Sequence, residues 1–214
     1  MEQPPVARRR LTFRRLSGLD RSGPPPPQTV AGAPLNPWTI PNAIGYFRGA
    51  LIVVFLVLAF NAHGQSTLTA IAFALVGWGD YADGIAARVT GQYSRLGTLM
   101  DPVIDRSLIL SGALVCFWFE LLPRWALIVL AVREVYVFAL ARWGLSRGVD
   151  IHVNWLGRLG VWPIMSALFF PMTGLETVGE VLLYVGLGFA LASAAQYTWD
   201  GVRALRKTQP STRA

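Results

Sequence analysis

The sequence predicts an all-α, polytopic membrane protein of six transmembrane helices preceded by a short interfacial helix. Three observations carry that prediction. The 214 residues are 53% hydrophobic and only 14% charged, with a mean hydropathy of +0.44, a balance that suits lipid better than water. Six apolar runs follow one another, each long enough at 1.5 Å per residue to cross or nearly cross a bilayer. The basic residues gather at the chain ends and in alternate connections, which is how a polytopic chain sets its topology.

In chain order, the first 36 residues read as a basic, proline-rich cytoplasmic tail without a fold of its own. Arg8, Arg9, Arg10, Arg14, Arg15 and Arg21 precede prolines 24 to 27, not an apolar core, so this is no signal peptide. Asn36-Pro37-Trp38-Thr39-Ile40-Pro41 is expected to begin the interfacial helix. The apolar runs are Ala43–Phe60, Ser66–Val89, Leu96–Phe119, Trp125–Leu145, Trp155–Met172 and Val178–Ala204. The membrane domain thus covers 37–205, and 206–214 is a second cytoplasmic tail. Eight tryptophans, several near the ends of these runs, suit interfacial anchoring.

The connections 61–65, 120–124 and 173–177 hold one basic residue, Arg124. Arg95, Arg142, Arg147 and Arg158 lie at the other two, on the same side as both tails. The positive-inside rule puts that side in the cytoplasm, at an inner (cytoplasmic) membrane. The net charge of +7 is accordingly topological and lipid-facing, not a nucleic-acid footprint. One cysteine, Cys116, excludes an intramolecular disulfide and a metal–thiolate site. His63 and His152 are isolated in connections and read as solvated, while Glu176, Glu180 and Asp200 read as helix-end groups near water.

The chemistry concentrates in DYADGIAARVTGQYSRLGTLMDPVID, residues 80–105. Four of the twelve acidic residues, Asp80, Asp83, Asp101 and Asp105, stand in this short stretch of an otherwise apolar chain, where carboxylates are costly and mark an ion or substrate site. On helices, Asp80, Asp83, Gly84 and Ala87 share one face, and Gly97, Asp101 and Asp105 another. Antiparallel neighbours would turn the two carboxylate pairs towards each other. An all-oxygen donor set without His or Cys suits Mg²⁺ or Mn²⁺ rather than Zn²⁺, and two divalent ions would neutralise four carboxylates. The small residues admit a bulky ligand or close helix packing. Arg88 has the reach to pair with a pyrophosphate or with an aspartate.

The pattern Asp80-x-x-Asp83-Gly84-x-x-Ala87-Arg88, then eight residues, then Gly97-x-x-x-Asp101-x-x-x-Asp105 resembles the signature of the CDP-alcohol phosphatidyltransferase family. Seven residues from Asp83 onward fall at this spacing by chance on the order of once in a million, so the match is specific. It extends more weakly to Ile40-Pro41-Asn42 with Arg48, to Arg133-Glu134 and to Trp155-Leu156-Gly157-Arg158. The resemblance implies phospholipid biosynthesis: transfer of a phosphatidyl group from CDP-diacylglycerol to an alcohol, with CMP leaving. It implies Asp105 as general base, and Asp80, Asp83, Asp101 and Asp105 as ligands of two divalent metals. Gly84, Ala87, Arg88 and Gly97 would border the CDP-lipid, and the enzyme would be a homodimer.

Similarity to phosphatidylglycerophosphate synthases makes glycerol 3-phosphate the first expected acceptor, with Arg133, Arg142 and Arg158 on its phosphate. Arg106 after Asp105, and Gly157-Arg158, stand where those enzymes carry lysines. Such variants resemble actinobacterial-type members, for which phosphatidylglycerol (cardiolipin synthesis) or an inositol phosphate is the alternative acceptor. A structural pairing competes for Arg133 and Glu134, and Arg48 reads as a cavity contact or a snorkelling side chain. An ion-coupled transporter is the alternative from another class, but no second half mirrors the acids as repeated transporter halves would.

Overall fold

The computed structural model describes residues 35–90, 94–146 and 155–208, excepting some side chains, among them those of Arg88 and of 155–158. Among the described residues the chain is all-helical: α1 (Ile40–Asn61), α2 (Thr67–Thr90), α3 (Arg95–Trp118), α4 (Arg124–Ser146), α5 (Trp155–Met172) and α6 (Glu176–Thr208). All six expected segments are present, with ends displaced by at most four residues. The last extends to Thr208, so the first residues of the expected C-terminal tail are helical. The expected N-terminal tail lies almost entirely outside the described residues.

The expected interfacial helix is not formed at 36–39, which is irregular. Local hydrogen bonding explains the correction. Thr39 caps α1, its hydroxyl accepting from the Asn42 amide at 3.3 Å, as an N-cap threonine does. The Asn42 side chain reaches back and donates to the carbonyls of Asn36 (2.9 Å) and Pro37 (3.3 Å). Pro41 is tolerated because the first helical turn needs no amide donor. The chain thus turns directly into α1.

Among the described residues, two helices have the length and apolarity to cross a membrane: Ile40–Asn61, with mean hydropathy 2.2, and the Glu176–Trp199 part of α6, with 1.7. α2, α3 and α4 are comparably long, but carry the acids and arginines of the motif region. Exposed apolar side chains cover the outer faces, including Val53, Val54 and Val57 on α1 and Val132 and Val135 on α4. Helices that are apolar on their outer as well as inner faces are at home in lipid.

The described residues pack as two compact units. The first comprises α1 up to Ala50 together with Trp78–Ile104, the second Leu51–Gly77 together with Asp105 onward. In the second unit α5 and α6 pack along their lengths and α4 packs on α6. Gly112 lets Phe73 and Leu168 close on α3, and Gly186 admits the α5 backbone at Ile164. Fully buried Phe55, Val76, Leu108 and Leu168 build the interior.

The turn after α1 shows why a glycine ends it. Gly64 has φ +84° and its amide donates to the Ala59 carbonyl at 2.8 Å, the left-handed helix terminus that glycine favours. A Cβ there would lie 2.8 Å from a Phe119 ring carbon. Gly64→Ala is expected to cost roughly 2 kcal/mol through backbone strain and the clash. A lowered thermal unfolding midpoint in detergent would show this, and an unchanged midpoint would refute it.

Candidate active site

The site is best built outward from Arg48. It is the one charged residue in the α1 sequence, and its side chain is 1% exposed. A guanidinium so deep in an apolar helix requires a partner. One nitrogen, Nη1, donates to Asp83 Oδ2 at 2.8 Å and to Asp80 Oδ1 at 3.3 Å. The aspartates are three positions apart on α2, so their carboxylates lie on one face and converge on one cationic atom. The surroundings differ: the Asp83 side chain is 9% exposed and that of Asp80 53%. Arg48 is therefore neither snorkelling nor idle, but packed beneath the aspartate pair.

Gly79 makes this possible. A Cβ at that position would lie 2.7 Å from both Cγ and Cδ of Arg48, so the arginine stem occupies the space a side chain would fill.

Gly97 has a comparable packing role at the start of α3. Ser94, buried, caps the helix by accepting from the Gly97 amide at 2.9 Å, and its hydroxyl donates to Asn42 Oδ1 at 2.8 Å. A Cβ on Gly97 would lie 2.7 Å from that same Asn42 oxygen. Gly97→Ala is expected to lower stability by about 1–2 kcal/mol. Adding Asn42→Ala should cost less than the two single losses summed, because both disturb one contact. Strict additivity in the unfolding midpoints would overturn this assignment.

Of the remaining motif residues, Asp101 and Asp105 are half-buried one turn apart on α3, and Gly84 and Ala87 are half-buried on α2. The side chains of Arg88 and Arg158 lie outside the described residues. Among the described residues no group of three or more His, Cys, Asp or Glu side chains is gathered tightly enough to hold a metal ion. Asp80 and Asp83 offer the hard oxygen donors that suit a divalent cation. Two hard oxygens from separate residues already converge on one positive atom.

A second charged cluster occupies the other unit. Glu134, 4% exposed, accepts from Arg133 Nη1 through Oε1, and its Oε2 lies 3.9 Å from Arg106 Nε. Arg133 Nε also donates to the Ala190 carbonyl on α6 at 3.2 Å, and the Arg106 guanidinium stacks 5.1 Å over the Phe138 ring. The structural pairing that competed for Arg133 is thus present. Arg142 is exposed, and nine residues place it about half a revolution round α4 from Arg133. The structure does not bring these two arginines together. The sequence offered Arg48 as a cavity contact or a snorkelling side chain but not its pairing with Asp80 and Asp83, nor the contacts of Arg106; a solitary arginine in an apolar run and the Asp105-Arg106 pair were the visible signals.

The model of the CDP-alcohol phosphatidyltransferase family matches residues 38–192, which contain both clusters. The chain belongs to the CDP-alcohol phosphatidyltransferase family. As a family member it is a transferase of phospholipid biosynthesis. Among curated relatives, it is 34% identical over 175 residues to the cardiolipin synthase (CMP-forming) of Streptomyces coelicolor, covering 77% of this chain and 80% of the relative. It is 30% identical over 171 residues to a putative cardiolipin synthase of Mycobacterium tuberculosis, covering 75% and 78%. To the CDP-diacylglycerol–glycerol-3-phosphate 3-phosphatidyltransferase of Bacillus subtilis it is 25% identical over 189 residues, covering 78% and 98%.

Proposed function

We propose that this phosphatidyltransferase crosses the cytoplasmic membrane six times, works as a homodimer, and transfers a phosphatidyl group from CDP-diacylglycerol to an alcohol at the cytoplasmic face. The observation that carries the reading is the convergence of Asp80 and Asp83 on one cationic atom within the family signature. At 24 and 23 residues, α3 and α4 are about 36 and 35 Å long, enough for a hydrocarbon core of about 30 Å. Their charges would then face the protein interior, where intramembrane charges carry function.

Asp80, Asp83, Asp101 and Asp105 are the residues that would hold Mg²⁺ or Mn²⁺. Divalent cations bound there supply charge neutralisation for the donor's diphosphate. The protein groups do the rest. Gly84 and Ala87 leave room along α2 for the nucleotide, and Arg88 binds its diphosphate, whereas the space beside Gly97 is taken by Asn42. The Asp105 carboxylate takes the proton of the acceptor hydroxyl as that oxygen attacks the phosphorus carrying the diacylglycerol. The diphosphate P–O bond breaks and CMP departs, so atoms and charge balance.

For the acceptor, the 34% identity to the Streptomyces coelicolor cardiolipin synthase, against 31% to a glycerol-3-phosphate phosphatidyltransferase of Pectobacterium atrosepticum, supports phosphatidylglycerol, giving cardiolipin. Glycerol 3-phosphate is the second reading. Relatives of that activity align over nearly their whole length, and Arg133, Arg142 and Arg158 are its candidate phosphate contacts. The test is CMP release by purified protein in lipid with Mg²⁺, offering phosphatidylglycerol, glycerol 3-phosphate, inositol phosphate or no acceptor. Release stimulated by one acceptor establishes the reaction and names the substrate. Equal release without acceptor means hydrolysis and overturns the transferase reading, as does no release with any of them.

A further inference from the structure

We infer that Arg48 is a positioning residue for the cation site. It is a built-in counter-charge that aims the Asp80 and Asp83 carboxylates and lowers the affinity with which that pair takes up a divalent ion. The inference rests on the proposed role of the two aspartates as metal ligands and deepens it.

A buried ion pair is a poor way to gain stability, since desolvation consumes most of the attraction. Arg48 is among the largest fully buried side chains of the molecule, and Gly79 is needed to seat its stem. A leucine at position 48 would fill an apolar helix at less expense. What the arginine adds is geometry. One nitrogen bridges one oxygen of each aspartate, at 3.3 and 2.8 Å, holding two like charges one helical turn apart on a common point. Half-exposed Asp80 remains approachable from its outer side, while Asp83 is sealed on the arginine. A dication entering there is attracted by two carboxylates and repelled by one guanidinium at short range, where protein screening is weak. The site is therefore set to bind its ion moderately and exchangeably rather than tightly.

The test is Mn²⁺ binding by the full-length protein in detergent, read as loss of the free-ion EPR signal. Native protein is compared with Arg48→Met, Arg48→Lys, Gly79→Ala and Asp83→Asn. Removing the guanidinium charge in Arg48→Met is expected to tighten Mn²⁺ binding about tenfold. Phosphatidyl transfer should nevertheless fall, because the carboxylates are no longer aimed. Arg48→Lys keeps the charge and should bind Mn²⁺ within about twofold of native. Gly79→Ala displaces the stem and should shift affinity in the direction of Arg48→Met, which keeps the inference testable if Arg48→Met does not fold. Native affinity in both Gly79→Ala and Arg48→Met, or weaker binding in Arg48→Met, overturns the inference while leaving the ligand role of the aspartates in place. Unchanged Mn²⁺ binding in Asp83→Asn removes that ligand role and the inference with it.

Discussion

Asp105→Asn is expected to lower phosphatidyl transfer by roughly a thousandfold while donor and metal binding stay near native. Asparagine keeps the shape of the side chain and removes its capacity to accept a proton. An alcohol is a weak nucleophile at neutral pH, and Asp105 is the residue proposed to take its proton. Asp105 is half-buried on α3, one turn beyond Asp101 and directly before Arg106, whose guanidinium lies against Glu134 and Phe138. The decisive measurement is single-turnover CMP release with saturating donor and acceptor, alongside binding of CDP-diacylglycerol to the same preparation. A rate within fivefold of native would remove Asp105 from the role of base. A variant with near-native rate but much weaker Mn²⁺ binding would make it a ligand instead.

The helices were legible in the sequence because lipid-facing elements are written in composition. Uninterrupted apolar runs ended by Asn61-Ala62-His63-Gly64 or Thr173-Gly174 leave little freedom over where a helix stops, and both glycines take positive φ. The start of α1 was less legible. Pro37 and Pro41 suggested a separate element, whereas Thr39 supplies the cap and Asn42 ties the preceding carbonyls. The aspartate motif could be read because its spacing is local to two helices. The partners of its residues could not, because Arg48 meets Asp80 and Asp83 across 32 and 35 positions and Arg133 meets Ala190 across 57. Periodicity assigns a residue to a face but does not say what lies opposite. Gly97 shows the same limit: its sequence position suggested space for a ligand, and its neighbours show that Asn42 occupies the space beside it.

Asp83→Asn and Asp80→Asn should separate two functions that the shared salt bridge joins. Both remove a carboxylate from the proposed cation site, so both are expected to raise the Mg²⁺ concentration needed for half-maximal transfer by about tenfold or more and to weaken donor binding. Their effects on stability should diverge. Asp83 is 9% exposed and 2.8 Å from a guanidinium that is 1% exposed. Neutralising it leaves a buried arginine with its closest carboxylate gone, a loss of roughly 3–5 kcal/mol. Asp80 is half in solvent and 3.3 Å away, so its neutralisation should cost about 1 kcal/mol or less. Thermal unfolding without metal, followed by the Mg²⁺ dependence of CMP release, measures the two separately. Equal destabilisation by the two variants would mean that Arg48 leans on both carboxylates alike. An unaltered Mg²⁺ requirement in Asp80→Asn would confine the cation site to Asp83 and the α3 carboxylates. The half-exposed carboxylate is the one that can lose its charge without loss of the fold, which makes Asp80 the cleaner probe of metal binding and Asp83 the cleaner probe of the buried pair.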